Sequence, residues 1–169
     1  TGYLLLGIIS GPEGYKAVIF YLFIYAFMTI GAFGIVGMVE KEGGDAELAG
    51  WKGLGLRKPL LGFAMAVFMF SMAGMPPLAG FMSKYLLFAS AIQAGHVALA
   101  TVGILTSVIG AYYYLRVLVV MFFQQPEATE QSRQVQVTQA LLPTVGVVVL
   151  VVALIFFGLM PAPVEQTLD

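Results

Sequence analysis

The chain has 169 residues, 60% of them hydrophobic and 10% charged, with a net charge of −1 at pH 7 and a mean hydropathy of +0.93. Soluble domains carry about 25% charged residues, and so short a chain cannot hide this much apolar surface in its own core, so lipid is its natural solvent. The charge balance offers nucleic acid no attraction; the absence of Cys and the single His exclude disulfides, thiolate-held zinc or iron–sulfur clusters and a histidine metal or haem site, so neither metal nor cofactor is expected in this chain.

A spanning helix needs about 20 mostly apolar residues. In chain order, residues 1–11 read as the end of a helix whose beginning is missing, because the sequence starts abruptly, with neither Met nor a charged leader. Residues 15–39 form a crossing that carries no charge from Ala17 to Val39. Residues 40–58 carry Lys41, Lys52, Arg57 and Lys58 and read either as an ordinary loop or as an interfacial segment with Trp51 at headgroup level. Residues 60–94 are too long for one straight crossing and are interrupted at 74–79 by Gly74, Pro76 and Pro77, with Gly80 following. Two prolines remove two backbone donors and clash with the preceding turn. The segment is expected to be one broken crossing; a hairpin of two short helices is the alternative. Ala94-Gly95-His96 groups small and polar residues as a turn, followed by helices at 97–123 and 140–162. The fold class is therefore all-α, a single polytopic transmembrane bundle with one broken helix.

Charge favours the broken crossing over the hairpin. It puts the basic loop 40–58 and the linker 124–139, with Arg133 and nearby Arg116, on one side of the membrane, as the positive-inside rule expects of the cytoplasmic face. The tail 161–169 then lies on the other side.

Lys84 is the sharpest chemical feature. At about 1.5 Å per residue it lies roughly 16 Å from the turn at Gly95, near the middle of about 30 Å of hydrocarbon, beyond the reach of an easily snorkelling side chain. A charge at that depth costs at least about 2.5–3.5 kcal/mol and tends to face a hydrated cavity or an ion path. The broken helix beside it frees backbone polar groups, which is tolerated where they line water or protein. Lys84 is the candidate proton-transfer group; the alternative is a structural lysine paired with an acid elsewhere. Ser71 and Ser83 supply hydroxyls near it, and Thr106, Ser107 and the three tyrosines Tyr112, Tyr113 and Tyr114 are candidates to line a wet path toward the basic side. His96 is a candidate exit group or a solvated loop residue. Arg116 reads as an interfacial anchor, Glu13 and Lys16 as a surface pair, the stripe Met65, Met69, Met72, Met75 as packing, and the glycines from Gly31 to Gly37 as helix contacts. No phosphate loop, nucleophile elbow or metal-ligand cluster is present.

Three stretches, FYLFIYAFMTIGAFG at 20–34, AGMPPLAGFMSK at 73–84 and GAYYYLRV at 110–117, together resemble the antiporter-like subunits of respiratory complex I, the proton-pumping NADH:quinone oxidoreductase. The resemblance runs over nearly the whole chain and is strongest to the N type, known as subunit 2 in mitochondria. It implies a helix bundle with broken helices related by an inverted repeat, of which this chain would hold the second, and it places the family's broken-helix lysine, assigned to proton exchange with the non-cytoplasmic side, on Lys84. The M type carries Glu there, so Lys84 fits the N or L type; the run from Tyr112 to Arg116 favours N, whereas Ser83 stands where N types often have Gly. The family's other ionisable groups, on earlier helices, have no counterpart here, so the chain is expected to hold one end of a proton path and to carry out no redox catalysis itself. Expected partners are the other membrane subunits of complex I and the lipid bilayer, without nucleic acid. The expected location is the bacterial inner membrane, or the mitochondrial one in a eukaryote. The alternatives are a subunit of a multi-subunit cation/proton antiporter or membrane-bound hydrogenase, and a purely structural membrane scaffold.

Overall fold

A computed structural model describes residues 2–41, 47–125 and 141–159. Arg133, the rest of the linker after Gln125 and the tail lie outside the described residues, as do Thr1 and the outer ends of the expected last helix. The described residues form helices and turns without strands: α1 (Gly2–Ile9), α2 (Pro12–Lys41), a 3-10 turn (Leu48–Trp51), α3 (Leu54–Arg57), α4 (Pro59–Ala73), α5 (Ala79–Gln93), α6 (Val97–Phe123) and α7 (Leu141–Leu159).

The long helices follow from uninterrupted apolar sequence, and their ends from Pro and Gly. α2 begins at Pro12, earlier than the expected residue 15, because proline suits the first helical turn and Glu13 there complements the positive helix end. Proline also opens α4. α2 has 30 residues and α6 has 27, so at about 1.5 Å per residue both exceed the roughly 30 Å hydrocarbon layer. The stretches Pro12–Glu40 and Val97–Phe123 are the two described spans long and apolar enough to cross a membrane. The break at Gly74 divides the intervening segment into two helices of 15 residues each.

α4 and α5 follow one another along both long helices. Leu87 of α5 packs with Ala17 and Tyr21 near the start of α2, while the Phe68 ring of α4 occupies the space a side chain on Gly31 would need. On α6, Ala100 packs with Ala91, Ser107 meets Lys84, and Phe122 lies against Gly55 beyond the start of α4. A hairpin would have doubled α5 back beside α4; instead the two halves form one discontinuous rod antiparallel to α2 and α6. α7 packs on α2, α4 and α5, and the backbone of Gly158 sits directly on the Pro77 carbonyl oxygen, where a Cβ would collide.

The segment after the undescribed residues 42–46 forms a 3-10 turn and a short helix rather than an ordinary loop. Trp51 is 3% exposed within the main core, and the neighbouring Gly53 N–H donates to the Val120 carbonyl at 3.4 Å. The indole removes more apolar surface from solvent against α4 and α6 than it would at the headgroups.

Candidate functional site: a lysine that closes a broken helix

Helix ends leave backbone groups without partners in the helix itself. At the end of α4, Gly74 takes φ 85, ψ 40, a left-handed conformation that costs residues with a Cβ roughly 1–2 kcal/mol. Its N–H reaches the Ser71 carbonyl at 3.0 Å and the Met75 N–H reaches the Phe70 carbonyl at 3.0 Å, the bond pair of a Schellman motif. That turn serves Phe70 and Ser71. The next two carbonyls are served by a side chain from the other half of the rod: Lys84 Nζ donates to the Met72 oxygen at 2.7 Å and to the Ala73 oxygen at 3.4 Å. Its third donor goes to Ser107 Oγ on α6 at 3.0 Å.

The start of α5 is served in return. Its N-cap residue, Leu78, has no side-chain acceptor to offer, and the Gly80 N–H donates to Ser71 Oγ of α4 at 3.1 Å. Each half of the rod thus closes the open end of the other. The exchange requires close approach, since a Cβ on Gly80 would strike the Ser71 carbonyl and one on Gly74 would sit 3.2 Å from Lys84 Cδ. Ser83 Oγ donates to the Gly80 carbonyl at 3.0 Å on its own helix.

Lys84 is 9% exposed and Ser71 and Ser83 are fully buried. The partners of the ammonium are two carbonyls and a hydroxyl; no carboxylate among the described residues bonds it. Its positive charge lies at the negative end of the α4 dipole. The Tyr3 ring centroid is 5.8 Å from Nζ.

Cavities flank the ammonium. A pocket of about 640 Å³ between α5 and α6 and one of about 60 Å³ on the tyrosine side both include Lys84 and Ser107 in their walls. The smaller is bounded by Tyr3, Tyr21, Tyr25 and Tyr114. At about 10–15 Å³ per probe-sized site it has room for several waters. A third cavity, of about 440 Å³, extends past Thr29 to Trp51 at the basic end of the bundle.

The structure sorts the other residues singled out from sequence. Ser71, Ser83, Gly74 and Gly80 are assembled around the break, joined by Ser107 from α6. Pro76 and Pro77, linked by a cis bond, form its loop. Thr106 bonds the Gly103 carbonyl of its own helix at 2.9 Å. Tyr112 and Tyr113 are each 64% exposed; Tyr113 lines the cavity at the basic end, while Tyr112 is not brought to Lys84. His96 lies at the start of α6, in the outer turn, half-buried. Arg116 is exposed, and Lys16 lies 3.6 Å from Glu13. Sequence reasoning took the three tyrosines together and did not single out Tyr114, which lines the small pocket beside Lys84. The signal was there: Tyr114 follows Ser107 by two helical turns, so the two share a face, unlike its two tyrosine neighbours.

The site can hold the amine in either charge state without orphaning a polar group. A protonated lysine donates three times, to both carbonyls and Ser107 Oγ. A neutral one keeps two donors for the carbonyls and gains a lone pair that can accept the Ser107 O–H. Rotation of a hydroxyl suffices to accommodate the change.

A discontinuous helix holding a buried lysine inside an apolar bundle is a feature found at the ion sites of membrane transporters. This chain belongs to the NADH:quinone oxidoreductase/Mrp antiporter transmembrane family, whose model matches residues 1–110, and its bundle is accordingly a polytopic transmembrane one. It is 41% identical over 163 residues to NADH-quinone oxidoreductase subunit N 1 of Chloroherpeton thalassium, covering 96% of this chain and 33% of that protein. To NADH-quinone oxidoreductase subunit N of Salinibacter ruber it is 42% identical over 175 residues, covering 99% of this chain and 35% of that protein. The chain thus spans about a third of the length of the curated relatives it matches. Among solved structures, it superposes on a chain of respiratory complex I from Thermus thermophilus with a TM-score of 0.80 and 32% identity, covering 99% of this chain and 37% of that one. On a chain of the Mrp complex from Dietzia sp. the TM-score is 0.80 with 25% identity, covering 98% of this chain and 38% of that one.

Proposed function

We propose that this chain is part of a proton-translocating membrane subunit of an NADH:quinone oxidoreductase, and that Lys84 is the group in it that takes up and releases the proton. One observation carries the reading: a single buried amine is held by two freed carbonyls and a hydroxyl, with cavities on either side of it. Its bonding survives loss of a proton, as a relay requires and a fixed structural cation does not. The electrons travel through other subunits, and this chain contributes proton movement alone. Its partners are the neighbouring membrane subunits and the surrounding lipid of the inner membrane, with the basic loops on the cytoplasmic side.

An antiporter subunit would use the same site, and the likeness to the Mrp complex has the same TM-score. The higher identity to complex I, 32% against 25%, favours the redox-driven pump.

The test is Lys84→Ala and Lys84→Arg in the full-length subunit within the assembled complex, reconstituted into vesicles. Proton uptake driven by NADH oxidation is expected to fall about tenfold or more in both, since the relay loses its proton-transferring group and arginine stays protonated (pKa above about 12). Pumping at the wild-type level in Lys84→Arg identifies a structural cation, and unaltered pumping in Lys84→Ala removes the lysine from the mechanism.

A further inference from the structure

We infer that the Ser107 hydroxyl is the group through which Lys84 exchanges its proton: it takes the one ammonium proton that is free to leave and passes its own to water in the cavity between α5 and α6. The inference rests on the proposal that Lys84 carries protons, and it names the atom that trades with the amine.

The three partners of the ammonium are not equivalent. The Met72 and Ala73 oxygens, at 2.7 and 3.4 Å, are backbone carbonyls, which accept a hydrogen bond but own no proton to hand on. Ser107 Oγ, at 3.0 Å, both accepts and donates. It comes from α6, a separate element from both halves of the rod. The other buried hydroxyls near the break are committed elsewhere: Ser71 Oγ accepts the Gly80 N–H, and Ser83 Oγ donates to the Gly80 carbonyl.

The cavities on either side of the amine have two lining residues in common, Lys84 and Ser107. The bond between nitrogen and hydroxyl therefore lies on the boundary of both. The larger cavity, of about 640 Å³, runs from Gly74 at the break past Tyr85 to Ile92 and Gln93. Those last residues belong to the final turn of α5, at the end of the bundle away from the basic loops. The cavity has room for many waters, and the Tyr85 hydroxyl and the Gln93 amide can bond them along its length.

The transfer balances with water as the other reactant. The Lys84 N–H bond breaks as an O–H bond forms on Ser107 Oγ, and the serine's original O–H bond breaks as its proton joins a cavity water. The lysine ends as a neutral amine, the serine as a neutral hydroxyl, and the water leaves as hydronium. The new O–H points at the nitrogen lone pair, so the amine keeps all three of its partners. Protonation of Oγ from the cavity, with return of that proton to nitrogen, reloads the lysine.

The experiment compares Ser107→Ala, Ser107→Thr and Lys84→Ala with Ser90→Ala, all in the full-length subunit of the assembled complex in vesicles. Ser90 is the control, a buried serine whose hydroxyl bonds the Leu87 carbonyl of its own helix at 2.9 Å. In Ser107→Ala, coupled proton uptake is expected to fall at least about tenfold, less than the full loss of an acid–base group because a cavity water can take the place of the oxygen. Ser107→Thr keeps the hydroxyl and is expected to retain most of the uptake. The solvent deuterium isotope effect on coupled turnover is expected to change in Ser107→Ala, which a loss of packing alone would not produce. Ser90→Ala is expected to match wild type. If Ser107→Ala pumps normally while Lys84→Ala does not, the serine's part is overturned and the lysine stands. Equal losses in Ser107→Ala and Ser107→Thr with the wild-type isotope effect also overturn it, since the hydroxyl then does not matter. If Lys84→Ala pumps normally, both readings fail.

Discussion

Lys84 was legible from sequence because charge and depth conflict there: an amine that far inside an apolar run needs a polar host. Its host was not legible. The bonds to Met72 and Ala73 join a side chain to carbonyls on the other side of two prolines, and only the fold of the break sets that reach. Tyr114 was legible only as the last of a run of three tyrosines, of which it alone also lines the pocket beside Lys84. Gly80 gives the sharpest residue-scale test of this packing. A methyl group there meets the Ser71 carbonyl oxygen, whereas one on Gly146 meets nothing within 4 Å. Gly80→Ala is expected to lose about 1–3 kcal/mol, as overpacking of a filled interior does. Gly146→Ala should be neutral or slightly stabilising through helix propensity. Thermal unfolding of the detergent-solubilised assembled protein reads both, and a Gly80→Ala variant as stable as wild type would show that the halves of the rod are not in contact there.

At the scale of elements, apolar runs without charge located the long helices, and the Gly74–Pro77 cluster located the break. Element ends were less legible. α2 starts at Pro12 because a proline followed by an acid is a good first turn, although the same residues read as a loop when only hydropathy is followed. Trp51 sat in a segment that mixes charge with apolar residues, and composition alone could not tell a buried indole from one at the membrane surface. The reciprocal closure of α4 and α5 makes an ordered prediction. Ser71 Oγ takes an α5 amide that has no other acceptor, so Ser71→Ala should cost about 1 kcal/mol, as loss of an N-cap does. Ser83 only bonds back to its own helix, an interaction that adds little to helix stability, so Ser83→Ala should cost less. Midpoints of thermal unfolding in the reverse order would mean that Ser71 does not cap α5.

For the whole molecule, the class of fold was readable because lipid imposes one solution on long apolar runs: every backbone group bonds within its own helix. The order of the α4–α5 rod along α2 and α6 puts the turn after Gln93 at one end of the bundle and the end of α6 at the other. Single cysteines at Ala94 and Gln125, both exposed, are expected to react with a membrane-impermeant thiol reagent from opposite sides in intact cells, Ala94→Cys from outside the cytoplasmic membrane and Gln125→Cys only after permeabilisation. Labelling from the same side would restore the hairpin. The seat of Gly158 on the Pro77 oxygen has a mechanical meaning as well. Where main chain bears on main chain there is no side chain to swing aside. The gap behind the prolines can widen only if α7 shifts with it, and a pull on α7 is felt at the break. The last described helix is thereby yoked to the loop beside the amine, so a force applied at the rim of the bundle arrives at Lys84.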